Sequence, residues 1–237
     1  MQGPRSLGYA TDLMIAEFDG VVLAGPGFLA ARTPTSPLFW WGNFVVFEAP
    51  PRPGQVAEWA ATFDDQVGCV PGVQHRNLAW DTDSTRTGAH DPQGALRGSK
   101  VPEVELAIAE FLAAGYQRNT SVVLTNSAPH PAPHSQAEQA PTACLVRPIK
   151  GDAEWERVLE IQHASMPSQR STPTFRTFQT QQRDRDRRLV ARGHGEWFGA
   201  FVNGQLAATM GLYVHEGVAR GYAFIMFWIY ERVRGCF

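Results

Sequence analysis

The sequence predicts a mixed α+β protein built in two halves, and three observations carry that reading. Strand-like and helix-like stretches alternate along the chain, the pattern of sheets layered against helices. A run at 127–142 divides them, with four prolines, no large apolar side chain and no periodicity. Near the end, Asn203-Gly204 joins two alternating runs, the strongest short-range hairpin signal a sequence gives. The expected organisation is an α/β half over 1–126, a Pro/Ala-rich linker over 127–142 and a second half over 143–237.

In the first half, Leu13–Phe18 and Phe39–Phe47 read as strands, the second rich in aromatic and β-branched residues. Pro53 precedes a helix over Gln55–Gln66, with Val56, Trp59, Ala60 and Phe63 on one face. Gln74–Trp80 is again strand-like. Val101–Gly115 is an amphipathic helix whose apolar stripe is Val104, Ala107, Ile108, Phe111 and Leu112, with Gly115 as its stop. Ser121–Leu124 reads as a short strand. The linker cannot bury a core and is expected to be semi-extended. Its His130 and His134 read as a metal pair or as plain linker residues; no cysteine or carboxylate cluster joins them.

The second half opens with a strand over Ala143–Ile149. A helix follows over Ala153–Ser165, with Asp152 as N-cap and Trp155, Val158, Leu159 and Gln162 on a shared face. A second helix spans Phe175–Gly193 and carries Arg183-Asp184-Arg185-Asp186-Arg187-Arg188. Alternating signs of this kind indicate a solvated helix face rather than a phosphate patch. Strands over Glu196–Val202 and Leu206–Val214 form the Asn-Gly hairpin. A turn at His215-Glu216-Gly217 leads to a last strand over Val218–Tyr230, giving the order β-α-α-β-β-β.

Composition excludes several classes. At 237 residues, 43% hydrophobic and 19% charged, the chain has material for one large domain or two small ones. A net charge of −2 and a pI near 6.4 offer a polyanion nothing, which argues against nucleic acid. Cys69, Cys144 and Cys236 have no metal-ligand spacing and are odd in number, which fits a reducing cytoplasm. No secretory signal is visible. The most apolar stretch, Gly221–Tyr230, falls short of the roughly 20 residues a helix needs to cross a bilayer, so no membrane partner is expected.

Four stretches together carry a family resemblance. They are Leu145-Val146-Arg147-Pro148-Ile149, the hairpin run Trp197–Leu206, Met210-Gly211-Leu212-Tyr213, and the loop Arg232-Val233-Arg234-Gly235-Cys236-Phe237. The chain resembles the GNAT family of acyl-CoA-dependent N-acetyltransferases, and that loop looks like the family's pyrophosphate-binding Arg/Gln-x-x-Gly-x-Gly/Ala loop. The first half, through Ala31–Phe44, looks like a segment that precedes the transferase domain in a bacterial subgroup, and the resemblance implies a degenerate GNAT-like unit there. The implied fold is a GNAT-like mixed sheet with flanking helices, incomplete at its C-terminal end.

The resemblance also implies a site. Acetyl-CoA would be the co-substrate, its pantetheine arm bonded to backbone at Ile225 and Phe227. Its pyrophosphate would rest on the amides of Arg232, Val233, Arg234, Gly235, Cys236 and Phe237, where glycine permits close approach. Holding the thioester beside an acceptor amine would supply much of the rate gain by positioning. The acceptor would be a small-molecule amine, or an N-terminal or lysine amine of a protein. Glu216 reads as a base acting through water or as a simple turn carboxylate, and Glu196 and His215 as weaker candidates of the same kind. Trp40, Trp41, Asn43 and Phe44 read as an acceptor pocket or as core. Two departures stand out: Ile229 replaces a proline common before the loop, and Phe237 replaces its closing Gly/Ala. The expected activity is therefore that of a truncated transferase, weak or absent. The alternative is a non-catalytic remnant or binding module. An aromatic, uncharged last strand with an open edge would also promote homo-oligomers.

Overall fold

Ser6 makes the first segment a helix. Its Oγ accepts from the Tyr9 amide at 3.3 Å, the N-cap bond that starts α1, Leu7–Asp19. The strand expected over Leu13–Phe18 is thus corrected, because Thr11, Leu13, Ile15 and Ala16 are buried along that helix. In this computed structural model residues 4, 6–81, 102–120, 123–125, 144–164 and 172–224 are described. The chain divides into two units, Met1–Leu124 and Thr125–Phe237.

After α1 comes a hairpin the sequence reading lacks: β1 (Val21–Gly25) and β2 (Phe28–Arg32), paired from Val21↔Arg32 to Gly25↔Phe28. Gly20 lies at its entrance because a Cβ there would sit 1.9 Å from the Arg32 carbonyl oxygen. The strand expected over Phe39–Phe47 is shorter, with a 3₁₀ turn at Trp40–Gly42 and β3 confined to Phe44–Phe47. The helix expected next is α2 (Val56–Phe63), continued by a π-helical turn over Asp64–Gly68. β4 is Leu78–Trp80, and α3 is Pro102–Ala113, closed by Gly115 at φ 91°. Val123-Leu124 is not a strand.

The first sheet has the order β1-β2-β3-β4, antiparallel except for the parallel β3–β4 pair that α2 connects. β3 reads Phe-Val-Val-Phe because both its faces are covered. Phe44 and Val46 pack with Leu13, Ala16 and Ala31 on the α1 side. Val45 and Phe47 pack with Trp59, Phe63 and Val67 on the α2 side, where the Phe47 and Trp59 rings stack 3.8 Å apart. The first unit is therefore a three-layer helix–sheet–helix arrangement.

The second unit follows the expected β-α-α-β-β-β order. It comprises β5 (Cys144–Pro148), α4 (Gly151–Ala164), α5 (Pro173–Ala191), β6 (Gly195–Val202), β7 (Gln205–His215) and β8 (Val218–Phe224). Its sheet runs β5-β6-β7-β8 with every pair antiparallel. Asn203 (φ 52°) and Gly204 (φ 76°) both take the positive φ that a tight hairpin turn requires. Asp152 lies inside the first turn of α4 rather than capping it. Thr172 caps α5, accepting from the Phe175 amide at 3.2 Å, and Pro173 fills the first helical position. The linker at 127–142 lies outside the described residues.

Candidate functional site

α5 turns a polar stripe toward the sheet. Gln179, Arg183, Arg185, Asp186 and Leu189 are buried, although alternating charge suggested a solvated face. That expectation is corrected for three of the six charged residues, and the reason is helix pairing. Arg183 donates to Glu156 at 2.6 Å and Arg187 donates to Asp152, so the two contacts run in opposite directions along α4 and α5 and hold them antiparallel. Asp184 and Arg187 remain in solvent.

Where the stripe meets the sheet there is a cavity of about 110 Å³. Its walls come from Gln162 of α4, from Phe175, Phe178, Gln179, Gln182, Arg185 and Asp186 of α5, and from Trp197, Tyr213 and Tyr222 of the sheet. The register explains the sheet's share. Trp197 lies opposite Gly211, and Gly211 opposite Tyr222, so these residues face the same side. Gly211 leaves room for the Trp197 indole, since a Cβ there would lie 2.3 Å from a ring carbon. The Trp197 and Tyr213 rings then meet edge-on at 6.5 Å, and Tyr213 and Tyr222 at 5.9 Å.

Gln162, Gln179, Gln182, Arg185 and Asp186 bring polar groups into this aromatic setting, and two features among them bear on what it can bind. Tyr213 is 1% exposed and its hydroxyl donates to Asp186 Oδ1 at 2.7 Å. Burial, and then the Asp186 carboxylate beside it, push the phenol well above its ordinary value, so it stays a donor at all ordinary pH. Gln179, 4% exposed, keeps its Oε1 buried with no hydrogen-bond partner. Leaving a buried carbonyl unbonded costs about 1–3 kcal/mol, the mark of a position shaped by something other than stability. The sequence carried one sign of this site: Phe175, Phe178, Gln179, Gln182 and Asp186 share a helical face at core spacing, where a helix of the interior would be apolar.

Glu216 stands at the β7–β8 turn with φ 47°, its side chain 84% exposed and 3.9 Å from His215. It is not among the cavity's lining residues. Glu196 is half-buried on β6. Ile225, Phe227, Arg232, Val233, Arg234, Gly235, Cys236 and Phe237 lie outside the described residues, as do His130 and His134. Among the described residues no group of His, Cys, Asp and Glu could hold a metal ion.

The aromatic stretch of the first unit is divided in its roles. Phe44 is core and Trp40 is 61% exposed, so the two do not line one pocket. Asn43 is fully buried and braces its own loop. Its Oδ1 accepts from the Thr33 amide at 3.0 Å, and its Nδ2 donates toward Thr33 Oγ1, the Ser36 carbonyl and the Phe39 carbonyl at 3.0, 2.9 and 2.9 Å. The turn between β3 and α2 also has its own occupant, because the Gly54 amide donates to the Glu110 carboxylate at 2.6 Å.

No protein-family model and no curated protein matches the chain. Among solved structures it is similar to a functionally unknown conserved protein from Staphylococcus epidermidis ATCC 12228, with a TM-score of 0.53 and 10% identity. The match covers 92% of this chain and 76% of that one. This likeness carries fold alone, a mixed α+β architecture of two sheets with flanking helices. No described helix is long and apolar enough to cross a membrane.

Proposed function

We propose that the chain is a GNAT-type N-acetyltransferase by descent, its second unit a GNAT-like fold of the kind that transfers an acetyl group from acetyl-CoA to a primary amine, with weak activity or none in this chain. The observation that carries the reading is the order of that unit. One strand is followed by two helices and then by an antiparallel β6-β7-β8 meander, the arrangement that the resemblance implies. The first unit would be its degenerate companion.

Acetyl-CoA would supply the thioester, and the residues assigned to it lie at Ile225 and Phe227 and over 232–237. The Gly54 turn of the first unit is no substitute for that cradle, because Glu110 already places a carboxylate on the Gly54 amide and would repel a pyrophosphate. What the described residues contribute is a walled cavity beside the sheet, the natural place for an acceptor. A non-catalytic binding module is the second reading, and the same cavity favours it, since none of its lining residues is among those assigned to the coenzyme. Cys69 and Cys144 are exposed thiols outside any disulfide, which supports a reducing cytoplasm. β8 bonds to β7 alone among the described strands, which supports pairing between copies at that edge.

Calorimetric titration of the full chain with acetyl-CoA tests the proposal. Saturable heat at micromolar concentration is expected. Silence up to millimolar concentration removes the transferase and leaves the binding module.

A further inference from the structure

We propose that the cavity between α4, α5 and the sheet of the second unit binds a neutral, single-ring arene carrying one N–H or O–H donor. On the transferase reading this ligand is an arylamine acceptor; the binding itself does not depend on that reading.

Size sets the first limit. An apolar cavity of about 150 Å³ holds benzene, so about 110 Å³ limits the ligand to a single ring at most. Shape and surface set the second. Five lining side chains are aromatic, and faces and edges of Trp197, Phe178 and Tyr222 suit a flat partner.

Charge sets the third limit. Arg185 and Asp186 both line the cavity, one of each sign, so it has no net formal charge to offer an ion. Arg185 directs Nη1 to Gln182 Oε1 at 3.3 Å, and Asp186 already takes the Tyr213 hydroxyl. An ammonium would be buried beside the like charge of Arg185, and a carboxylate beside that of Asp186, which is costly. A neutral ligand avoids that cost. Hydrogen bonding sets the fourth limit: Gln179 Oε1 is buried in the wall without a partner and can only accept, so the matching ligand presents a donor. An aromatic amine is uncharged at neutral pH and carries ring and donor together.

The test is a ligand-observed NMR titration of the full chain with aniline, toluene and benzylamine. Aniline has ring and donor, toluene has the ring alone, and benzylamine is a cation at neutral pH. Aniline is expected to bind about tenfold more tightly than either, the worth of satisfying a buried carbonyl. Equal binding of toluene would reduce the site to an apolar hole, and tighter binding of benzylamine would make it a cation site; either result overturns the proposal, as does no binding by any of the three.

Gln179→Leu removes the unbonded carbonyl. The variant is expected to melt no lower than the parent while its preference for aniline over toluene collapses to about one. A preference that survives the substitution sinks the role of Gln179. Gln179→Met serves if the leucine variant fails to fold, and the ligand series on the unmodified chain stands without either. Aniline binding without acetyl-CoA binding keeps this site and removes the transferase; acetyl-CoA heat without aniline binding does the reverse.

Discussion

Asn43 shows how one residue can fix a loop that carries no regular structure of its own. The segment from Thr33 to Gly42 folds back on itself, and the buried carboxamide answers polar groups at Thr33, Ser36 and Phe39. Asn43→Leu would strand those groups, and we expect a loss of roughly 2–4 kcal/mol in urea denaturation. A loss below about 0.5 kcal/mol would mean that the loop holds without it. Next to it, the His75 Nε2–H donates to the Asn43 carbonyl at 3.1 Å, with the Phe63 and Trp40 rings 6.2 and 5.6 Å away. Burial lowers the pKa of this histidine below its ordinary 6.5, with the Asn43 bond pulling the other way. The unfolded chain therefore takes up a proton at a pH where the folded one resists. Stability is full above 6.5 and falls as pH drops through the lower folded value. His163 and His194 are shifted in the same direction, so the comparison must be with a variant. His75→Gln should lose less melting temperature between about pH 8 and pH 5 than the parent does. An equal loss would place the acid sensitivity in other groups.

At the scale of elements, the second unit was largely legible and the first was not, for physical reasons. Asn203-Gly204 fixes its hairpin locally, and both residues adopt the positive φ that their chemistry permits. The β6 and β7 runs alternate because one face is buried, with Trp197, Gly199 and Phe201 inward on β6. In the first unit, Leu13 and Ile15 alternate like a strand, yet the Ser6 cap and the Thr11 hydroxyl bonded back to Leu7 and Gly8 make a helix. Local β-propensity lost to capping and burial there. β1 and β2 escaped notice because small residues such as Ala24, Gly25, Ala30 and Ala31 give little periodic signal. The candidate cavity was hidden for a related reason. Charge alternation along Arg183–Arg188 is a one-dimensional pattern, whereas burial of Arg183, Arg185 and Asp186 follows from the pairing of α5 with α4 and the sheet. Gly211 makes a test at this scale. A methyl at that position collides with the rigid Trp197 ring, so Gly211→Ala should cost about 1–3 kcal/mol and shift the emission of the buried indole. Unchanged stability would mean that Trp197 has room to retreat.

At the scale of the whole molecule, the two units differ in how their sheets are covered. In the first, the central β3 is sealed on both faces, by Leu13 and Ala16 of α1 on one side and Trp59, Phe63 and Val67 on the other. Such a sheet needs no further layer, since every apolar side chain of β3 is already buried. In the second, α4 and α5 pack on one face while Val146, Met210 and Val214 are 66, 44 and 47% exposed. The difference has a direct consequence for dissection of the chain. A fragment of residues 1–125 carries intact the core clusters on the two faces of β3, with the Ser6 amide bonded to the Asp81 carboxylate at 3.2 Å, 75 residues away in sequence. It should therefore unfold in urea as one cooperative transition, with a slope within the roughly 1–3 kcal/mol/M typical of small domains. Circular dichroism and tryptophan emission should report the same midpoint, because Trp59 and Trp80 sit in or against the core that the helices complete. A gradual transition, or two probes with separate midpoints, would mean that covering both faces of β3 is not enough to make this unit fold by itself.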